Sequence, residues 1–255
     1  MKKVLLAVLL LSLSVCAFAQ QDYVGRYDVF TGFSYLDSPK LDLQQRGFNT
    51  QLGYNARRWL ALGLDYSIQF GRAALVTNDL KTQYATPLNA LVTAGEAGLF
   101  APAPPLGFGI SIPTPYHLYA PFNATTQTYT AGPQLAYRHL KKVTLFAHPS
   151  IGAIHENISI SPHDIFTQYI VVPALLGKLP PIATTPILRT LKPNDTTYFY
   201  GLGGGADLNV SKHFHIRADV EFVHVYLFSA LLADARNSVR LSVGPSFNFG
   251  KNVSR

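Results

Sequence analysis

Cysteine is nearly absent. The only one, Cys16, lies inside the opening stretch MKKVLLAVLLLSLSVCAFAQ. Lys2 and Lys3 form a basic start, Val4 to Val15 is an apolar run, and Ala17-Phe-Ala19 reads as an A-x-A cleavage site. That pattern is a secretory signal peptide over residues 1–19, with the cut expected after Ala19. Val15 is bulkier than the small residue that precedes a lipidated cysteine, so Cys16 is expected to leave with the leader. The mature chain, residues 20–255, then holds no thiol, which excludes disulfides and Cys-ligated metals. Export without disulfides suits a bacterial envelope protein.

Charge is scarce too. Asp, Glu, Lys and Arg make up 14% of the chain, where soluble domains carry about a quarter. The formal charge is +7, of which Lys2 and Lys3 contribute two, and the remaining basic residues are scattered. That is no nucleic-acid-binding pattern. Beyond the leader no apolar run reaches the ~18 residues of a spanning helix. A chain of this kind enters a membrane only as strands. What it has in quantity is aromatic: 14 Tyr and 16 Phe.

Strict alternation dominates the rest. Leu60, Leu62, Leu64, Tyr66, Ile68 and Phe70 interleave with Ala61, Gly63, Asp65, Ser67 and Gln69, and a period of two puts each set on one face of a strand. Residues 214–226 and 238–249 repeat the pattern, and 27–36, 46–55, 127–138, 143–154 and 197–209 follow it with varying clarity. Eight strands are expected. The connections at 55–58, 139–142 and 209–212 are short and polar. Those at 37–45, 72–126, 155–196 and 227–236 are longer, and short and long alternate strictly. Tight periplasmic turns opposite long extracellular loops give that order in a membrane barrel.

The two faces differ in chemistry. One carries Tyr27, Tyr35, Tyr54, Tyr66, Tyr129, Tyr137, Tyr198 and Phe249 near strand ends, the places of aromatic girdles. The other mixes small polar residues with Asp28, Asp65, Asp207, Asp219 and Glu221 against Arg138, Arg217 and Arg240. Opposed charges of that kind suit a narrow lumen in which each charge has a partner. The competing reading is the solvated face of a soluble β-sandwich.

Residues 201–207, GLGGGAD, fit a dinucleotide-binding fingerprint, with Glu221 twenty residues on. Such glycines must open a helix. Here a turn follows within a few residues, then strict alternation, and there is no room for one. At period two Gly201, Gly203 and Gly205 all point inward, as packing relief for bulky lumen neighbours such as Phe146.

Tyr27–Tyr35, Tyr200–Asp207, Arg217–Phe222 and Val239–Phe249 together resemble the small eight-stranded outer-membrane barrels of the OmpA/OmpX transmembrane type. The resemblance implies an all-β, antiparallel up-and-down transmembrane barrel with two long Pro-rich extracellular loops. It also implies bacterial outer-membrane localisation, contact with outer-membrane lipid and lipopolysaccharide, and insertion by the outer-membrane assembly machinery. That machinery reads a terminal aromatic, and here Gly250 to Arg255 continue past Phe249. The expected function is structural or adhesive at the cell surface through loops 72–126 and 155–196, as a monomer with no cofactor, no nucleic acid and no open pore.

Two side-chain sets suggest chemistry. His148 and Ser150 form an H-x-S pair resembling the catalytic set of outer-membrane lipid A deacylases, with Glu156 or Asp164 as the acid that would orient a His base. Both fall on the lumen face, so a packed lumen His beside a small Ser is the stronger reading. His213 and His215, with Asp207 on a neighbouring strand, form a weaker metal-ligand set. The loop stretches 98–122 and 163–189 are apolar for exposed loops, which marks an interaction site or a self-packed cap. Short helices are expected near 87–97 and 164–177. A third functional reading is binding or uptake of a small apolar ligand through these capping loops.

Overall fold

The computed structural model describes residues 23–39, 43–76, 79–83, 85–86, 89, 119–140, 142–160, 194–233 and 236–253. They form eight strands: β1 (Gly25–Ser38), β2 (Leu43–Arg57), β3 (Leu60–Val76), β4 (Tyr119–Tyr137), β5 (Val143–Ile160), β6 (Asn194–Asn209), β7 (Phe214–Val225) and β8 (Arg236–Asn252). Each pairs antiparallel with its neighbours in chain order, and β8 closes on β1. Closure leaves no sheet edge.

The expected strands are all present, and most run further toward the loop end. β3 reaches Val76, β4 begins at Tyr119 and β5 ends at Ile160. The long connections are therefore 77–118 and 161–193, narrower than 72–126 and 155–196. The leader lies outside the described residues, as do Asp164, the helix expected near 164–177 and most of the apolar loop stretches. So does the helix expected near 87–97, apart from residue 89.

The tight turns and both described chain ends lie at one end. Gly25 pairs with Asn252, and the Val253 N–H donates to the Val24 carbonyl at 2.8 Å. In the β6–β7 turn Ser211 Oγ accepts the N–H groups of His213 and Phe214 at 3.3 and 3.1 Å, a hydroxyl standing in for a backbone acceptor.

Alternation decides which way each side chain points, and here the apolar set points out. Leu52, Leu62, Leu64, Ile151, Leu202 and Phe222 are exposed, while Ser34, Asn49, Ser67 and Gln69 are wholly buried. Water cannot favour that inversion, because it exposes the apolar face; hydrocarbon can. Tyr27 stacks near Tyr54 and Phe249 at the turn end, with ring centroids 5.8 and 5.7 Å away. Midway along β3 and β4 Tyr66 meets Tyr129 at 5.1 Å, and at the loop end Tyr198 meets Tyr226 at 5.9 Å. The turn-end group and the Tyr198–Tyr226 pair stand where girdles form at two membrane interfaces. A strand needs only ~9–11 residues to cross. The 19 residues of β4 carry its polar loop end beyond the belt.

Candidate functional site

The lumen is where the sequence placed its candidate residues, and it is filled in layers. Arg217 on β7 anchors the layer nearest the turns. Its Nε and Nη2 donate to the two oxygens of Asp207 at 2.7 and 2.9 Å, a forked pairing. Its Nη1 lies 3.1 Å from Asp28 Oδ1 and donates to Gln51 Oε1 at 3.0 Å. Phe146 and Phe30 flank the guanidinium at 4.9 and 5.7 Å, close enough for a cation–π contribution. Gln51 in turn donates to Asp219 at 3.3 Å.

Arg240 on β8 anchors the next layer. Its Nη2 lies 2.5 Å from Glu221 Oε2 and 3.1 Å from Asp65 Oδ1. Its Nη1 donates to Ser67 and Thr128 at 2.9 and 3.0 Å. Arg138 stands at the turn end, donating to the Arg58 carbonyl at 2.8 Å and to Asn55 Oδ1 at 3.4 Å. All eight charged residues expected in the lumen thus sit inside the barrel. Strand pairing itself sets Arg217 opposite Asp207 and Arg240 opposite Glu221. Arg217 meets Asp28 on β1, and Arg240 meets Asp65 on β3, across the interior.

The glycines fit this packing. A Cβ on Gly203 would lie 2.5 Å from His148 Nε2 and Cε1, and one on Gly201 would lie 2.9 Å from Ser150 Oγ. One on Gly205 would come within 2.8 Å of Phe146 Cζ. Gly203 leaves the volume that His148 fills, while Gly201 and Gly205 also make room for the Phe222 and Ala218 carbonyl oxygens of β7, 2.8 and 2.0 Å from an added Cβ.

The proposed catalytic set does not assemble. His148 Nε2 lies 3.1 Å from Asp219 Oδ1, and Ser150 donates its hydroxyl hydrogen to Glu221. A nucleophilic Ser needs its hydrogen bond to a His base; here each residue faces its own carboxylate. Glu156 is occupied by Arg236, 3.1 Å away. The reason is positional: residues two apart on a strand stand side by side, both aimed at β7.

The metal reading fails similarly. Both Asp207 oxygens are taken by Arg217, and His213 Nδ1 donates to the Asn248 carbonyl at 2.8 Å. Among the described residues no group of three His, Cys, Asp or Glu is arranged to hold an ion.

One layer was not foreseen. At the loop end the lumen becomes apolar: Ile154, Phe199, Val223, Val225 and Leu227 form one buried cluster, and Leu36, Leu43, Ala124 and Leu232 another. Phe228 packs against both. It holds a left-handed φ of 53°, and Asp195 accepts its N–H at 2.5 Å. The segment after β7 thus turns down into the mouth and plugs it. Val223 and Val225 follow Glu221 at period two, and that was the available signal.

These features define the class: an eight-stranded transmembrane β-barrel with a filled, charged lumen and a plugged mouth. Among family models and curated proteins nothing matches the chain. Among solved structures it is similar to neisserial surface protein A, with 10% identity over 88% of this chain and 96% of that one, and a TM-score of 0.46. OprG from Pseudomonas aeruginosa gives 8%, 90%, 98% and 0.48. Ail, the attachment invasion locus protein of Yersinia pestis, solved with the heparin analogue sucrose octasulfate, gives 16%, 89%, 99% and 0.41. Likeness at this level concerns the fold alone.

Proposed function

We propose that the protein is a bacterial outer-membrane barrel that acts at the cell surface, as a structural or adhesive element, through its loop end. The observation that carries this reading is the combination of an apolar exterior with a mouth closed by Phe228 and Leu232. A barrel of eight strands is just wide enough for side chains to fill, and these fill it. Solute does not pass along the axis, so work falls to the ends of the strands and the connections 77–118 and 161–193. Lipid and lipopolysaccharide surround the belt, the outer-membrane assembly machinery inserts it, and a single copy suffices because closure satisfies every strand.

The test has two stages. Outer-membrane fractions are run on gels with and without boiling, and a band that shifts on heating reports the closed barrel. Cells producing the protein are then compared with cells in which 77–118 and 161–193 are replaced by short turns. The proposal expects the heat shift to persist and attachment to surfaces to fall. Attachment that survives both replacements overturns the surface role.

A further inference from the structure

The turn-end rim of the barrel carries charge of one sign. Arg57, Lys212 and Lys251 are exposed there, and Arg26, Arg58 and Lys142 are half-buried. The two carboxylates of that end, Asp28 and Asp207, face inward and are both engaged by Arg217. Among the described residues no acid stands outward to neutralise the rim. Tyr27, Tyr54, Trp59, Tyr137 and Phe249 are exposed close to it, and such rings mark the headgroup level of a bilayer. Cations at that level face lipid phosphate, and anionic lipid attracts them.

In one sector the rim meets a groove in the outer wall. Its floor is made of short side chains, Ala131 and Pro133 on β4 and Pro149 on β5. The β4–β5 register is interrupted between Ala131↔Ile151 and Leu135↔Ala147, and Pro133 stands opposite Pro149 at the centre of the break. Leu62 and Leu64 on β3 rise on one side of this floor and Ile151 on the other. The groove has a volume of about 800 Å³. Walls that face a void lose their dispersion contacts, so in a bilayer an acyl chain belongs in it.

Arginine borders the turn end of the groove. Tyr54 lines it, and Arg26 Nη1 donates to the Tyr54 hydroxyl at 3.4 Å. The Arg26 guanidinium also lies over the Tyr54 ring, 5.6 Å from its centroid. Arg57 pairs with Leu60, which is two residues from Leu62 on the same face, a step of about 7 Å along the strand. Among the described residues neither arginine forms an ion pair with a carboxylate. Guanidinium donors suit phosphate oxygens, which accept forked bonds.

We propose that this groove, with Arg26 and Arg57, is a site for one anionic phospholipid of the inner leaflet. An acyl chain lies over Ala131 and Pro133, and the phosphodiester meets the two arginines. Arg58 and Lys142 on the same rim disfavour a zwitterionic head, whose ammonium would face them, and leave a head with net negative charge preferred. This rests on the barrel lying in a membrane with its turns at the inner leaflet, but not on the surface role of its loops.

The probe is palmitoyl-oleoyl phosphatidylglycerol, offered with an equimolar amount of the matching phosphatidylethanolamine to the full barrel in detergent micelles. Retained lipid is counted by native mass spectrometry. One phosphatidylglycerol is expected to be retained, in preference to phosphatidylethanolamine by roughly tenfold or more. R26Q/R57Q should remove the preference while the heat shift persists. K212Q takes a cation from the β6–β7 turn, away from the groove, and should leave the preference intact. A131F fills the groove floor from outside and should lower retention of both lipids. If the double variant does not fold, R57Q alone should lower the preference several-fold. Equal retention of the two lipids overturns the proposal, as does a preference that survives R26Q/R57Q or falls as far with K212Q as with R57Q. Retention unchanged by A131F overturns it too, as does glycerol 3-phosphate binding as tightly as the whole lipid, which would mark a free-anion site. A protein that stays monomeric in buffer without detergent and shows no heat shift instead overturns the membrane placement itself.

Discussion

Arg240 on β8 crosses the lumen to Asp65 on β3, with 3.1 Å between Nη2 and Oδ1. The same Nη2 is 2.5 Å from Glu221. The contact joins strands that share no backbone ladder, so it ties opposite walls of the barrel together. It is buried, and a buried pair gains little over an apolar replacement but costs heavily when one partner is removed. R240M is therefore expected to destabilise the barrel by about 3–5 kcal/mol, read as a lower temperature for the gel shift. R240M/D65N/E221Q removes the stranded charges and should recover most of the loss. A triple variant no more stable than R240M would show that shape, not charge, sets the effect.

Gly203 and His148 offer a second test, since a Cβ on the glycine would sit 2.5 Å from the imidazole. The ring cannot move freely: it is held by Asp219 at 3.1 Å and stacked on Phe146 with centroids 6.0 Å apart. G203A should cost about 1–3 kcal/mol as overpacking. G203A/H148A opens the space again, and the double-mutant cycle should show a coupling of about 1 kcal/mol or more. Additive losses would mean the glycine serves its backbone rather than its neighbour.

The outward face makes a prediction of opposite kind. Leu64 is exposed near the middle of the belt and Tyr137 near its turn-end rim. Arginine on a lipid-facing barrel position costs about 2–4 kcal/mol at the membrane midplane and about 0–1 near an interface. L64R should therefore destabilise the protein in bilayers much more than Y137R, measured by reversible unfolding in urea. Equal, small effects would place this face in water and undo the membrane reading.

How much of this was legible in the sequence varies along each strand. Leu60 to Phe70 gave β3 and its outward face at once, because period two persists there without interruption. The loop end of β4 did not show: Tyr119-Ala-Pro-Phe-Asn-Ala-Thr-Thr mixes a proline with small polar residues, and pairing with β3 and β5 makes it a strand. Phe199, Val223 and Val225 defied the rule that apolar means outward, since inside the mouth they pack on one another. The interruption of the β4–β5 register between Ala131↔Ile151 and Leu135↔Ala147, where Pro133 and Pro149 stand opposite each other, was beyond single-strand patterns altogether. It depends on register, which no strand specifies alone. His148 and Ser150 misled for a related reason, because their partners were on β7.

The last prediction concerns the plug. Phe228 packs against both apolar clusters in the mouth, and the segment around it is held by its N–H to Asp195, by Lys81 N–H to the Leu231 carbonyl at 3.0 Å and by Ala233 N–H to the Asp79 carbonyl at 2.9 Å. Thr126 lies wholly buried in this part of the lumen. Cys16 is the one cysteine of the chain, so T126C in a C16S background is a single-site probe. Its reaction with a water-soluble thiol reagent reports local opening of the mouth. Phe→Ala at a packed site costs about 3–5 kcal/mol. Even half of that, applied to opening, raises the open population more than about tenfold. T126C/F228A should therefore label at least roughly tenfold faster than T126C, with the gel shift retained. Equal rates would mean that Phe228 does not close the mouth, and that solute reaches the lumen from the loop side unhindered by it.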